Sequence, residues 1–175
     1  KQAKKQKQKK IHSLRHQITA YFIGLLFLSI LTITVINGAF LEKYYVTKKI
    51  DVLLNLRTTL ENTDIDKMMN SNSSKGMESI PDEIQRACSR NNLSWVIIDS
   101  SNTSWLSWGE NEKMLQSKLF GYVYDLDEDG DKSRTLKQGD NYTIQQSHDR
   151  FAGMDYVECW GQLDEEHYFI IRTPL

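Results

Sequence analysis

The hydrophobic pattern divides the chain into one unbroken apolar block and a longer stretch of short apolar runs. The block, residues 18–40, is 23 residues without a charged side chain. A helix rises about 1.5 Å per residue, so the block would span roughly 34 Å, enough for a hydrocarbon core of about 30 Å. Tyr21 and Phe22 at one end, and Phe40, Tyr44 and Tyr45 at the other, suit the aromatic belts of a membrane helix. Thr19, Ser29, Thr32 and Thr34 can return hydroxyl hydrogen bonds to the preceding turn, which makes them tolerable in lipid. The block predicts a transmembrane helix over 18–40. It is longer than a signal peptide's apolar region, and residues 37–41 match a cleavage site poorly.

After the block, Val46, Ile50, Leu53, Leu56 and Leu60 recur at helical spacing and share one face, while Lys48, Lys49, Arg57 and Glu61 fall elsewhere. The helix is therefore expected to continue as a rod with an apolar stripe. Such a rod either packs on its own domain's sheet or pairs with a partner's rod as a short coiled coil. The stripe is too brief to choose between them.

A polar stretch at 70–76 should end the rod. Pro81, Asp82 and Glu83 open a second helix with Ile84, Ala87 and Cys88 on its buried face, and Asn91 and Asn92 close it. Residues 93–99 and 103–108 read as two strands of a hairpin around a turn at 100–102. A helix fits 111–122, with Met114, Leu115, Leu119 and Tyr122 at helical spacing; after an acidic loop, strands follow at 142–146, 154–160 and 167–172. Five antiparallel strands with the helices gathered on one face predict an α+β domain.

Charge orients this arrangement. Lys1, Lys4, Lys5, Lys7, Lys9, Lys10 and Arg15 precede the block with no acid among them, whereas all 23 acids lie from Glu42 onward. The positive-inside rule puts residues 1–17 in the cytoplasm and residues after about 41 outside the cell membrane. Such a basic head directly before a span sets topology and attracts anionic lipid, which leaves no reason to invoke nucleic acid as a partner. The outer residues are enough for one domain with one core. The chain begins without Met and stops directly after an apolar strand-like run, so it reads as a piece of a longer protein.

Candidate chemistry is sparse. Asp125, Asp127, Asp129, Gly130 and Asp131 match the front of a calcium loop. The match fails where a closing Glu is needed, at Leu136, and at the usually apolar eighth position, Lys132, so a solvated acidic turn accounts for it as well. His12 and His16 are four apart at the basic cytoplasmic rim, a poor place for a dication; His148 falls in a hairpin loop. No Ser/His/Asp or Cys/His set, phosphate loop or zinc spacing is present. No catalytic, cofactor or metal site is expected in this segment beyond that weak acidic candidate. Cys88 and Cys159 lie on the oxidising side, where they are either two buried thiols or a disulfide. Trp95, Trp105, Trp108 and Trp160 are expected in the core; the alternative makes one or two of them walls of a ligand pocket.

The basic start, the single anchor and the run Phe40, Leu41, Glu42, Lys43, Tyr44, Tyr45 flowing into a long helix resemble the front end of bacterial membrane sensor histidine kinases. The closing residues, Trp160, Gly161, Gln162 and Leu163 followed by residues 168–175, are similar to the end of the sensing domain in such kinases of Firmicutes. The resemblance covers essentially the whole chain, on diffuse motifs. It implies a PAS-like or Cache-like extracytoplasmic domain over 41–172, a five-stranded antiparallel sheet fed by the long helix. Residues 173–175 would lead into a second membrane helix. It also implies a homodimer, an unknown small ligand or extracytoplasmic protein as stimulus, and a response regulator engaged by a cytoplasmic kinase portion. ATP and Mg would belong to that portion alone, and the face Val46, Ile50, Leu53, Leu56 and Leu60 would carry the signal. Arg172, Thr173, Pro174 and Leu175 imitate the tail of a kinase phosphorylation motif, but Phe169 stands where the phosphoacceptor His belongs. Other readings attach the same outer domain to a chemoreceptor or a cyclic-dinucleotide enzyme, or make the chain a single-pass anchor that docks an envelope partner.

Overall fold

The computed structural model describes residues 14–72, 80–101, 104–109, 111–126, 133–150 and 152–175. The chain divides into two compact units, Lys1–Lys43 and Tyr44–Leu175. Helix α1, Leu14–Glu61, is unbroken along its length. Its first part is long and apolar enough to cross a membrane, and none of that apolar stretch is buried within the protein. Side chains such as Phe22, Phe27, Leu28 and Val35 are more than half exposed. By length and composition this part of the helix is compatible with a membrane span. The internal hydroxyls are satisfied as the composition predicts: Thr19, Ser29, Thr32 and Thr34 each donate to a carbonyl three or four residues back, at 2.8–2.9 Å.

In the second unit, α2 (Ile65–Asn72) and α3 (Asp82–Asn91) follow α1, then β1 (Ser94–Asp99), β2 (Trp105–Trp108), α4 (Glu112–Val123), β3 (Arg134–Gln138), β4 (Tyr142–Asp149), β5 (Met154–Gln162) and β6 (His167–Pro174). The six strands form one sheet in the order β2-β1-β6-β5-β4-β3, every neighbouring pair antiparallel. The chain's last strand is thus an interior strand, held between β1 and β5.

Four features differ from the sequence reading. Among the described residues the sheet has six strands, not five. The additional strand, β3, is an edge strand whose only partly buried residue is Leu136, so no alternation announces it; Arg134 and Lys137 blunt that edge against further pairing. Next, the rod stops at Glu61, not at the polar stretch. Asp64 then caps a separate helix, its Oδ1 accepting from the Lys67 backbone N–H at 3.0 Å.

The helices also lie on both faces of the sheet. Leu53, Leu56 and Leu60 of α1, Ile65 and Met68 of α2, and Ile84 and Cys88 of α3 join Trp95, Ile97, Phe169 and Ile171 in one cluster. On the other face Leu115 and Leu119 of α4 pack against Val96, Ile98 and Ile170. The reason is visible in β1 and β6: their apolar residues run consecutively, and strands that are apolar on both faces need cover on both. Finally, His148 belongs to strand β4, not to a hairpin loop.

Candidate functional site

The stripe on α1 is graded. Leu53 and Leu60 are wholly buried and Leu56 nearly so, Ile50 packs partly against the same cluster, and Val46 is half-buried. Of the two uses foreseen for the stripe, its upper part packs on the sheet of its own domain. Two cations expected off the stripe are drawn inward. The Arg57 guanidinium lies 4.9 Å from the centre of the Tyr142 ring and also pairs with Glu61 at 3.1 Å. Lys49 Nζ donates to Thr173 Oγ1 at 3.0 Å, and burial holds its ammonium below the usual lysine range. The Thr173 hydroxyl in turn donates to the Asn91 carbonyl at 3.1 Å. One buried hydroxyl near the end of β6 therefore joins α1, α3 and the sheet.

The α4 face carries a buried polar seam that the sequence reading missed. The register pairs Arg172 with Glu158 and Glu158 with Gln145 across neighbouring strands, so all three share that face. Arg172 Nη1 donates to Asp149 Oδ2 at 3.1 Å, with both side chains 4% exposed, and the guanidinium sits 3.6 Å from the centre of the Tyr156 ring. The fully buried Glu158 accepts from Lys118 Nζ at 3.0 Å and from the Tyr122 hydroxyl at 2.8 Å. Removing a charge from water costs several kcal/mol, and this cost is offset only by close partners, which both pairs supply. Gln145 Nε2 and Trp160 Nε1 are buried donors without an acceptor among the described residues. The available signal was a charge inside an apolar strand, Arg172 after Ile170 and Ile171 and Glu158 after Val157.

A cavity lies at each end of α4. One, of about 300 Å³, opens beside Asn111 at the start of the helix, with Ser94, Trp108, Tyr156 and Arg172 among its walls. The other, also about 300 Å³, lies at the end of α4 beside Tyr122, Trp160 and Tyr168. Of the tryptophans, Trp95 is core, Trp108 and Trp160 are half-buried cavity walls, and Trp105, 49% exposed, is held by Glu112 at the surface.

Of the acidic candidate, Asp125 alone falls among the described residues. Asp125 follows α4 in a left-handed conformation, while Asp127, Asp129 and Asp131 lie outside the described residues, as does His12. Among the described residues no three His, Cys, Asp or Glu side chains gather as a metal site. His148 pairs with Asp155 at 2.6 Å, and the buried His167 with Asp164 at 2.9 Å and Asp66 at 3.6 Å. Burial would raise the Asp164 carboxyl, but hydrogen bonds from His167 and nearby backbone hold it below its ordinary value. Cys88 and Cys159 are free and buried, and burial pushes the thiols up to about 11 and about 12 respectively. The Trp95 indole donates to Cys88 Sγ at 3.3 Å.

No family model, curated protein or solved structure matches this chain.

Proposed function

We propose that this chain is the signal-input region of a membrane-bound receptor of the sensor histidine kinase type. It is anchored by residues 18–40, with residues 1–17 in the cytoplasm and a PAS-like or Cache-like sensing domain outside. The observation that carries the reading is the continuity of α1. One unbroken helix bears both the apolar block and the residues Leu53, Leu56 and Leu60 that pack on the sheet. The antiparallel sheet behind a long N-terminal helix and the charge asymmetry of the sequence support it further.

In this reading a stimulus bound to the domain changes how α1 and β6 pack, and the helix passes that change to its membrane portion. The contacts most exposed to such a change are Leu53 in the core and the Lys49–Thr173 hydrogen bond, the second of which ties α1 to the sheet near the end of β6. Close-packed side chains favour discrete arrangements over smooth deformation. A stimulus that moves the population from 1:99 to 99:1 must prefer one arrangement by about 5.5 kcal/mol. The receptor works as a homodimer, and its cytoplasmic kinase portion uses ATP and Mg to load a response regulator.

Leu53→Asp in the full-length receptor tests the reading. Its stimulus-free autophosphorylation is expected to change; the same output as wild type at every stimulus level would reject a signalling role for α1. Protease added to intact cells tests the orientation, and is expected to remove the outer domain. Survival of that domain until the cells are lysed would reverse the topology.

A further inference from the structure

The two cavities differ in what they have left to offer a ligand. Beside Arg172 the charge is already answered: Asp149 takes its hydrogen bond and Tyr156 covers its face. An anion there would have to displace a buried carboxylate. The cavity at the end of α4 has the opposite character. Trp160 and Tyr168 stand on neighbouring strands of the α4-facing side, with Tyr122 of α4 beside them. The rim comes from the β3–β4 turn and the end of β5, where Gln138, Asn141 and Gln162 present side-chain amides with no partner among the described residues. Asp140 is its only charged lining residue among those described.

This combination selects a chemical class. A strongly charged ligand finds no counter-ion beyond one exposed carboxylate. A flat heterocycle would bind best slotted between two rings, yet Tyr122 and Trp160 are already stacked on each other, with centroids 5.0 Å apart and planes at 26°, leaving no slot. What remains is a half-open aromatic surface edged by amides, each of which both donates and accepts. A pyranose ring matches it: one face of C–H groups to lie on an aromatic ring, and a rim of hydroxyls that also donate and accept.

The backbone around the rim is shaped closely. Gly161 has φ +154°, and a Cβ there would fall on the Asn141 carbonyl oxygen, so glycine is what allows the turn to press against β5. Gln162 N–H then donates to that same Asn141 carbonyl at 2.9 Å, which fixes two of the three amide-bearing residues relative to each other.

We propose that this cavity is a binding site for a neutral saccharide, stacked on the Trp160–Tyr168 surface and hydrogen-bonded by Gln138, Asn141 and Gln162. The site is independent of whether the chain signals. The test is saturation-transfer NMR on the full chain in lipid nanodiscs free of sugar detergents. Its probes are N-acetylglucosamine, the β-1,4-linked disaccharide of that sugar, and adenine as a flat-ring control. Transfer to the sugar ring protons is expected. The exposed Asn141→Ala and the half-buried Gln162→Ala, neither of which touches the core, should each weaken binding about tenfold, the loss of one hydrogen bond in a site that shuts out part of the solvent. Tighter binding of the disaccharide would identify a glycan chain as the source, and equal binding a free sugar. Transfer to adenine but to neither sugar would overturn the proposal. So would no transfer to either sugar at about 50 mM, or sugar binding that survives the Asn141→Ala, Gln162→Ala double variant.

Discussion

The gradation of the α1 stripe predicts a steep dependence of stability on position. Leu53→Ala removes three carbons from a fully buried site. At about 0.8 kcal/mol per buried carbon the transfer loss is about 2.4 kcal/mol, and a cavity that cannot collapse raises the total to roughly 3–5 kcal/mol. Ile50→Ala removes three carbons from a half-buried site, about 1.2 kcal/mol, of which alanine's better helix propensity returns roughly 0.4 kcal/mol. Val46→Ala removes two half-buried carbons, about 0.8 kcal/mol, and regains roughly 0.6 kcal/mol in propensity, so it should be close to neutral.

The assay is urea unfolding of the full chain in nanodiscs, followed by tryptophan fluorescence. All four tryptophans lie in the second unit, so the apolar part of α1 is silent. The expected order is Leu53, then Ile50, then Val46, with a thermal shift for Leu53→Ala of roughly 10–20 °C. A loss below about 1 kcal/mol at Leu53, or equal losses at Leu53 and Val46, would show that the stripe is not held by the sheet. The packing on which the signalling proposal rests would then be wrong.

Further outcomes follow from the same geometry. Arg172→Met strands the Asp149 carboxylate in a buried site and should cost about 3–5 kcal/mol, whereas Arg172→Met with Asp149→Leu should recover much of it; equal losses in the two variants would mean that the pair is not closed to solvent. Cys88 and Cys159 should resist iodoacetamide at pH 8 in the folded chain and react fully in denaturant, because burial keeps both protonated. Their raised values also fix a sign. Unfolded thiols ionise near pH 9 while the folded ones do not, so stability should fall as pH rises past about 9, and less steeply in a Cys88→Ala, Cys159→Ala double variant. Asp164 is held below its ordinary value, so its contribution is present above the unfolded carboxylate range and lost as pH falls through its folded value; Asp164→Asn should flatten the acid limb of a urea-midpoint profile.

The parts of this chain governed by runs and periods were legible in the sequence. The apolar block is set by length and the absence of charge, and α1 follows from it. The stripe names its own buried positions, because 3.6-residue periodicity decides which side chains share a face. Pro81 and the paired asparagines bracket α3 through backbone chemistry local to those residues, and Asn92 does take the left-handed conformation that closes it.

What depends on residues distant in sequence was not legible. β3 is a strand because β4 offers it a free edge, and its own five residues carry no such signal. Arg172 meets Asp149, and Glu158 meets Lys118 and Tyr122, only after the register of β4, β5 and β6 turns them to the side that α4 covers. Both cavities lie where that cover ends. The sequence by itself determined the membrane-length helix, the α+β class and the buried stripe, because each is a property of neighbours along the chain. The two-sided cover of the sheet, the polar seam and the cavities were decided by tertiary structure. They are complementarities between surfaces, and those surfaces come into being only when the sheet forms.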